Sequence, residues 1–184
     1  THQRACPYNC SMDGRPTDSR LAPILRAAEL RAVESRHAGS PLMARAGAAA
    51  AAVAQAMLAE SRGGPVVVLA GPGNNGGDGF VVARELRRAF HDVDVVFRGD
   101  PSTLPADARA AHAAFVDAGG STIREPRKVA PALVVDALFG IGLARPVAGD
   151  YAALVAWARA CGAPVLALDV PTGLDADTGA LHEP

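Results

Sequence analysis

An α/β fold with a mainly parallel central sheet follows from two features of this sequence. The first is alternation. Short apolar runs of strand length, Val66 to Ala70, Val93 to Phe97, Ala132 to Phe139 and Pro164 to Val170, are separated by stretches of helical period. Strands joined through helices pair in parallel by right-handed crossovers, which puts helices on both faces of the sheet. The second is a glycine loop: Gly71, Gly73, Gly76, Gly77 and Gly79 follow the first run, and a helical pattern starts behind them. The expectation is a Rossmann-like, three-layer αβα sandwich.

Composition narrows the function classes. With 184 residues and 49% hydrophobic content, the chain can bury one full core. Its 18 basic and 19 acidic residues are mixed without a basic run, which argues against nucleic acid or an anionic membrane as partner. No stretch reaches the ~18 uncharged apolar residues of a membrane span, and the first 20 residues lack the apolar centre of a signal peptide. The three cysteines, Cys6, Cys10 and Cys161, form no disulfide framework, and no neighbouring His or Cys completes a metal set around the first two. This usage suits a cytoplasmic protein.

Each element has a local reason. Residues 1–20 carry Pro7, Gly14 and Pro16 with no periodicity and read as a disordered leader, so the folded domain is expected over 21–184. Ile24, Leu25, Ala28, Leu30 and Val33 mark an amphipathic helix ending near Gly39. Pro41 opens a second helix that runs to Gly63. Its alanine run has the highest helix propensity and packs closely, and its Ala-rich face offers a surface for a homodimer. Val66 to Ala70 is apolar without a break, as a strand buried on both faces requires. A helix over Phe80 to Phe90 follows, beginning near Gly79, then the strand Val93 to Phe97 and a helix over Pro105 to Ala118. Ser121 to Arg124 is a short strand and Ala132 to Phe139 a stronger one. Tyr151 to Cys161 is helical, and Pro164 to Val170 is the last strand.

Sheets of this kind bind ligands beyond the carboxyl ends of their strands, where strand order reverses. Three strands here end in polar loops, Gly71 to Asp78, Asp136 to Arg145 and Asp169 to Thr178, all expected on one edge. The first fits Gly-x-Gly-x-x-Gly between strand and helix, where backbone amides can approach an anion. No Lys-Ser or Lys-Thr follows, which excludes a Walker A loop. A dinucleotide dehydrogenase would place an acid after the next strand. Arg98 stands there instead, either a contact for a 2′-phosphate or an ordinary solvated side chain. Asp136 ends an apolar strand, where a carboxylate is costly unless paired. It caps a turn, bridges to Arg145, or ligates a cation and leaves Arg145 for a ligand phosphate. Asp169 is a credible acid or base, whereas Asp175 and Asp177 read as turn formers.

Gly71 to Gly79 (Gly-Pro-Gly-Asn-Asn-Gly-Gly-Asp-Gly), Asp136 to Gly140 (Asp-Ala-Leu-Phe-Gly) and Leu168 to Asp175 (Leu-Asp-Val-Pro-Thr-Gly-Leu-Asp) closely resemble, in order and spacing, the NAD(P)HX epimerases of the YjeF N-terminal-domain family. The resemblance runs from about Leu21 to Gly179 and includes Leu42, Met43, Arg45, Ala46 and Gly47. It implies epimerisation of R- and S-NAD(P)HX, the hydrated forms of NADH and NADPH, so that a separate or fused dehydratase can return the S epimer to NADH or NADPH. It further implies that the substrate meets Asn74, Asn75, Gly76, Gly77 and Asp78, then Gly140, Ile141, Gly142, Leu143, Ala144, Arg145 and Pro146, and also Asp169. A potassium ion held by Asn75, Asp136 and Thr172 is implied as well. Amide, carboxylate and hydroxyl oxygens are hard ligands that suit such a cation. In that frame Asp169 transfers protons while the carbon–oxygen bond breaks and reforms on the other face, through an iminium or a ring-opened aldehyde. Asp78 is the second candidate, against a role as helix N-cap.

Three departures from the family pattern stand out. Ala44 occupies a position that is often acidic, Thr172 replaces a common Ser but keeps the hydroxyl, and the sequence ends at Pro184 where relatives continue into further strands. Two rival readings remain at this level. An NAD(P)-dependent oxidoreductase would need a substrate domain that 184 residues hardly allow. A non-catalytic scaffold would have no use for Asn74, Asn75, Asp78, Asp136 and Asp169 together.

Overall fold

The computed structural model describes residues 25–182 apart from positions 38 and 62. The expected disordered leader and the first residues of the predicted opening helix lie outside them. Helix α1 spans Ala27–Arg36, α2 Leu42–Leu58, α3 Asn74–Arg88, α4 Ala106–Asp117 and α5 Gly149–Ala160. The strands are β1 Val66–Ala70, β2 Val93–Phe97, β3 Thr122–Ile123, β4 Leu133–Ala137 and β5 Val165–Ala167. All pair in parallel, in the order β3-β2-β1-β4-β5. The Rossmann-like expectation holds.

Burial explains why β1 contains nothing but Val, Leu and Ala. Val66, Val68 and Ala70 face a core built with α2, α3 and α4, whereas Val67 and Leu69 face α5 through Leu154 and Ala158. A strand covered on both sides cannot alternate polar and apolar residues without burying unpaired polar groups. Phe80 anchors the larger core against Phe97 and Phe115. On α2, Gly47, Ala51 and Ala54 are buried, and a Cβ at Gly47 would collide with the side chain of Val81. Small residues therefore let α2 lie close on α3. Its outward apolar residues Leu42 and Val53 border the main cavity.

The chain runs outward from β1 to β2 and β3, then returns to lay β4 on the other side of β1. Strand order reverses between β1 and β4, so their carboxyl ends diverge and leave a crevice. Gly71 closes its base: its N–H donates to the Ala137 carbonyl at 2.9 Å.

The main correction concerns α3. It begins at Asn74, inside the glycine motif, five residues before the predicted start. Gly73 is the N-cap, in extended geometry and without a side-chain cap, and Gly77 N–H donates to its carbonyl. Asp78 is thus a residue of the second helical turn and not an N-cap. The helix can start this early because buried Gly76 and Gly77 leave room for neighbours. A Cβ on Gly76 would fall on the Gly71 carbonyl, and one on Gly77 would stand 2.6 Å from Met43 Cε and 2.9 Å from Ala108 Cα. Those contacts are long-range, so helix propensity, which disfavours glycine, points the other way.

Candidate active site

A cavity of about 780 Å³ opens at the carboxyl edge of the sheet, a size that holds a dinucleotide. Three segments predicted to converge do so. Gly73, Asn74, Asn75 and Asp78 come from the start of α3, Gly140 to Gly142 from the loop after β4, and Leu168 and Asp169 from the end of β5. The free N–H groups of the first turn of α3, with the positive end of its dipole, make one wall suited to an anion.

Asp169 is the most constrained residue of the site. Its φ of 63° lies in the left-handed region, which a non-glycine residue occupies at a cost and which clusters at functional positions. Oδ2 accepts a hydrogen bond from Ile141 N–H at 2.7 Å. A Cβ on Gly140 would fall on that same carboxylate oxygen, so any larger residue there would displace the Asp169 side chain. The second loop is therefore shaped around the carboxylate of the third. Asp78 faces the cavity from α3, and its carboxyl is pushed up to about 7, first by burial, then by the charges of Asp169 and Glu34. Asp78 can therefore keep its proton near neutral pH, with the Asp169 carboxylate in the same cavity.

Asp136 and Thr172 meet beneath the cavity, 9% and 7% exposed. Thr172 Oγ1 donates to Asp136 Oδ1 at 2.7 Å, and Thr172 N–H donates to Oδ2 at 2.9 Å. Leu138 N–H reaches Oδ1 at 3.2 Å, and Phe139 N–H donates to Thr172 Oγ1 at 3.1 Å. This lock answers how a buried carboxylate at the end of β4 is tolerated: it clasps the turn after its own strand to the turn after β5. Asn75 is brought to the same edge but bonds to neither. Its Oδ1 and Nδ2 are both buried without a hydrogen-bond partner, a costly state that a ligand or cation would relieve.

The remaining predicted residues take other positions. No ion pair joins Asp136 to Arg145 among the described residues. Ala144, Arg145 and Pro146 are exposed, and with Leu143 they stand outside the cavity lining. Leu143 N–H closes a turn onto the Gly140 carbonyl. Gly76 and Gly77, in the first turn of α3, are buried and shape the site through packing. Arg98 is neither a phosphate ligand nor a solvated side chain: it donates to the carbonyls of Arg124 and Asp150 and pairs with Glu125 at 2.7 Å. Asp175 is the turn former expected, accepting from Thr178 N–H and Oγ1. Asp177 instead accepts from Ala27 N–H at 2.8 Å and ties α1 to the third loop. Arg31 and Glu34 of α1 and Asp107 of α4 line the cavity, and motif reading missed all three. The only sequence signal was the spacing of Arg31 and Glu34, three apart on one helical face.

The family of YjeF-related protein N-termini matches residues 39–184. An NAD(P)H-hydrate epimerase of Achromobacter xylosoxidans (strain A8) is 48% identical over 164 residues, covering 86% of this chain and 77% of that protein. A bifunctional NAD(P)H-hydrate repair enzyme Nnr of Gloeobacter violaceus is 42% identical over 163 residues, 85% of this chain and 32% of its own length. The crystal structure of yeast YNL200c superposes with a TM-score of 0.70 at 24% identity, covering 88% of this chain and 76% of that one, and so shares its fold.

Proposed function

This chain belongs to the family of YjeF-related protein N-termini, and from that membership we propose that it is an isomerase interconverting R- and S-NAD(P)HX in nicotinamide cofactor repair. The observation that carries the reading is Asp169, held in a left-handed backbone with its carboxylate against Ile141 N–H and Gly140, across one cavity from Asp78.

The two carboxyls divide the work. Asp78, in its protonated form, delivers its proton to the departing hydroxyl of the hydrated ring; the carbon–oxygen bond breaks and water leaves behind an iminium. Asp169 stabilises that cation electrostatically and takes a proton from water adding to the opposite face. Hydroxyl and proton are lost and regained, so no oxidant is needed. Exchange of one proton between the pair resets the site, and in the reverse direction the roles swap.

A potassium ion suits the donors beneath the cavity. Asn75, with its orphaned amide, Asp136 and Thr172 would hold it, and when bound it supplies positive charge that draws the three loops together. Among the described residues no group of three or more His, Cys, Asp or Glu is placed to hold a metal ion, so any cation here relies on mixed oxygen donors. The bifunctional relative supports coupling to a dehydratase activity. No helix of the described residues is long and apolar enough to cross a membrane. The cysteine usage supports a cytoplasmic setting.

The direct test mixes the protein with R-NADPHX and an S-specific dehydratase. Complete conversion should accelerate with enzyme concentration and slow when potassium is replaced by a larger organic cation. Conversion that stalls at the S fraction present at the start rules the function out.

The Asp78 carboxyl makes a second expectation, with opposite readouts for activity and stability. Turnover should fall as pH rises through about 7, because Asp78 then loses its proton. Folded Asp78 binds a proton more tightly than the unfolded chain, so wild-type stability should decline between the ordinary carboxyl pKa of 3.8 and about 7 and then level off. Asp78→Asn should lose the alkaline limb along with about a hundredfold of kcat, and should melt higher than wild type at pH 8 but not at pH 4. Equal melting temperatures at both pH values would show that no ionisation cost resides at Asp78.

A further inference from the structure

Helix α1 poses a packing question. None of its residues is fully buried; Ala27, Leu30 and Val33 are only half-buried. It is tied down at its start, where Ala27 N–H donates to Asp177 Oδ1, and it turns Arg31 and Glu34 into the cavity.

The charge of that cavity is the second observation. Glu34, Asp78, Asp107 and Asp169 all line it, whereas Arg31 is the one Lys or Arg in the lining among the described residues. A polyanionic dinucleotide entering this space meets repulsion from the Glu34, Asp107 and Asp169 carboxylates. Arg31 is also placed where it would be needed. Its Nη2 stands over Gly142, 3.2 Å from where a Cβ would be, in the loop whose glycines open the backbone to a ligand. Among the described residues its guanidinium has neither an ion-pair nor a hydrogen-bond partner.

We infer that Arg31 is the cationic contact for a phosphate group of the substrate, and that α1 is held over the cavity to present it. This rests on the cavity being the NAD(P)HX site. A guanidinium offers two parallel N–H donors to a phosphate, a geometry that lysine cannot copy.

The test compares wild type with Arg31→Ala, Arg31→Lys and Arg31→Glu. Calorimetric titration with ADP-ribose and with 2′-phospho-ADP-ribose reads binding independently of turnover, alongside KM and kcat for R-NADHX and R-NADPHX. Arg31→Ala should weaken binding and raise KM about tenfold, the scale of one charge-assisted hydrogen bond at an open cavity mouth. Arg31→Glu should lose more, Arg31→Lys should recover part, and the loss should fall on KM rather than kcat. Equal losses for both probes assign the contact to the pyrophosphate; a loss confined to the 2′-phosphorylated probe assigns it to the 2′-phosphate. Because Arg31 is exposed and its guanidinium pairs with no described residue, circular dichroism and melting should not change. A wild type that epimerises while Arg31→Ala matches it in KM and both affinities overturns this inference alone. A wild type that neither binds the probes nor turns over NADPHX overturns the function with it.

Discussion

Asp169→Asn should reduce kcat for epimerisation by about a thousandfold, within the range that general acid–base groups contribute, while the protein keeps its fold and its affinity for ADP-ribose. Asparagine is the informative replacement because it preserves everything but the proton chemistry. It has the same shape and tolerates a left-handed backbone better than most residues, as the φ of 63° demands. Its side-chain oxygen can still accept from Ile141 N–H. Alanine would mix effects, adding backbone strain and freeing the Gly140 loop. Asp169 is solvent-exposed and belongs to no core, so melting should shift by no more than a degree or two, about the effect of a surface change. The coupled assay with an S-specific dehydratase reads the rate. Turnover within tenfold of wild type would remove Asp169 from the chemistry and leave Asp78 as the remaining carboxyl.

Gly71→Ala should lower stability by about 3 kcal/mol or more, and the melting temperature by about 10 °C, a large share of what holds a domain of this size together. The obstacle is backbone, not a side chain that could swing away. A Cβ on Gly71 would fall on the Leu138 carbonyl oxygen, with Leu138 Cα only 2.9 Å away. Gly71 N–H also donates to Ala137, so the two central strands would have to separate where their ladder ends. Gly73→Ala, two residues along the same motif, is the control. Nothing lies within 4 Å of its would-be Cβ, and its φ of −117° is open to any residue. That variant should melt with wild type. If Gly71→Ala melts there too, the crevice is looser than its geometry states, and the close approach of β1 and β4 is not what fixes the first glycine.

These two glycines show how the motif divides. From sequence they are equivalent marks of a cradle. In the fold Gly71 and Gly76 are required by backbone approaching backbone, Gly77 by Met43 and Ala108, and Gly73 by neither. Arg98 teaches the same lesson. Its position after β2 suggested a cofactor phosphate, but the fold spends it on Arg124, Asp150 and Glu125. The partners lie 26 to 52 residues away, beyond any local pattern.

What the sequence determined by itself was the sandwich, its strands, and the three loops that share an edge. Unbroken apolar runs can only be strands covered on both faces, and parallel strands linked by helices must bring their carboxyl ends to one side. The tertiary structure decided where α3 begins, how Asp136 and Thr172 lock the floor, and that α1 carries Arg31 into the cavity. Periodicity and propensity act over a turn or a strand. A left-handed aspartate, an orphaned amide and a lone cation among carboxylates are set by neighbours that only the folded chain supplies.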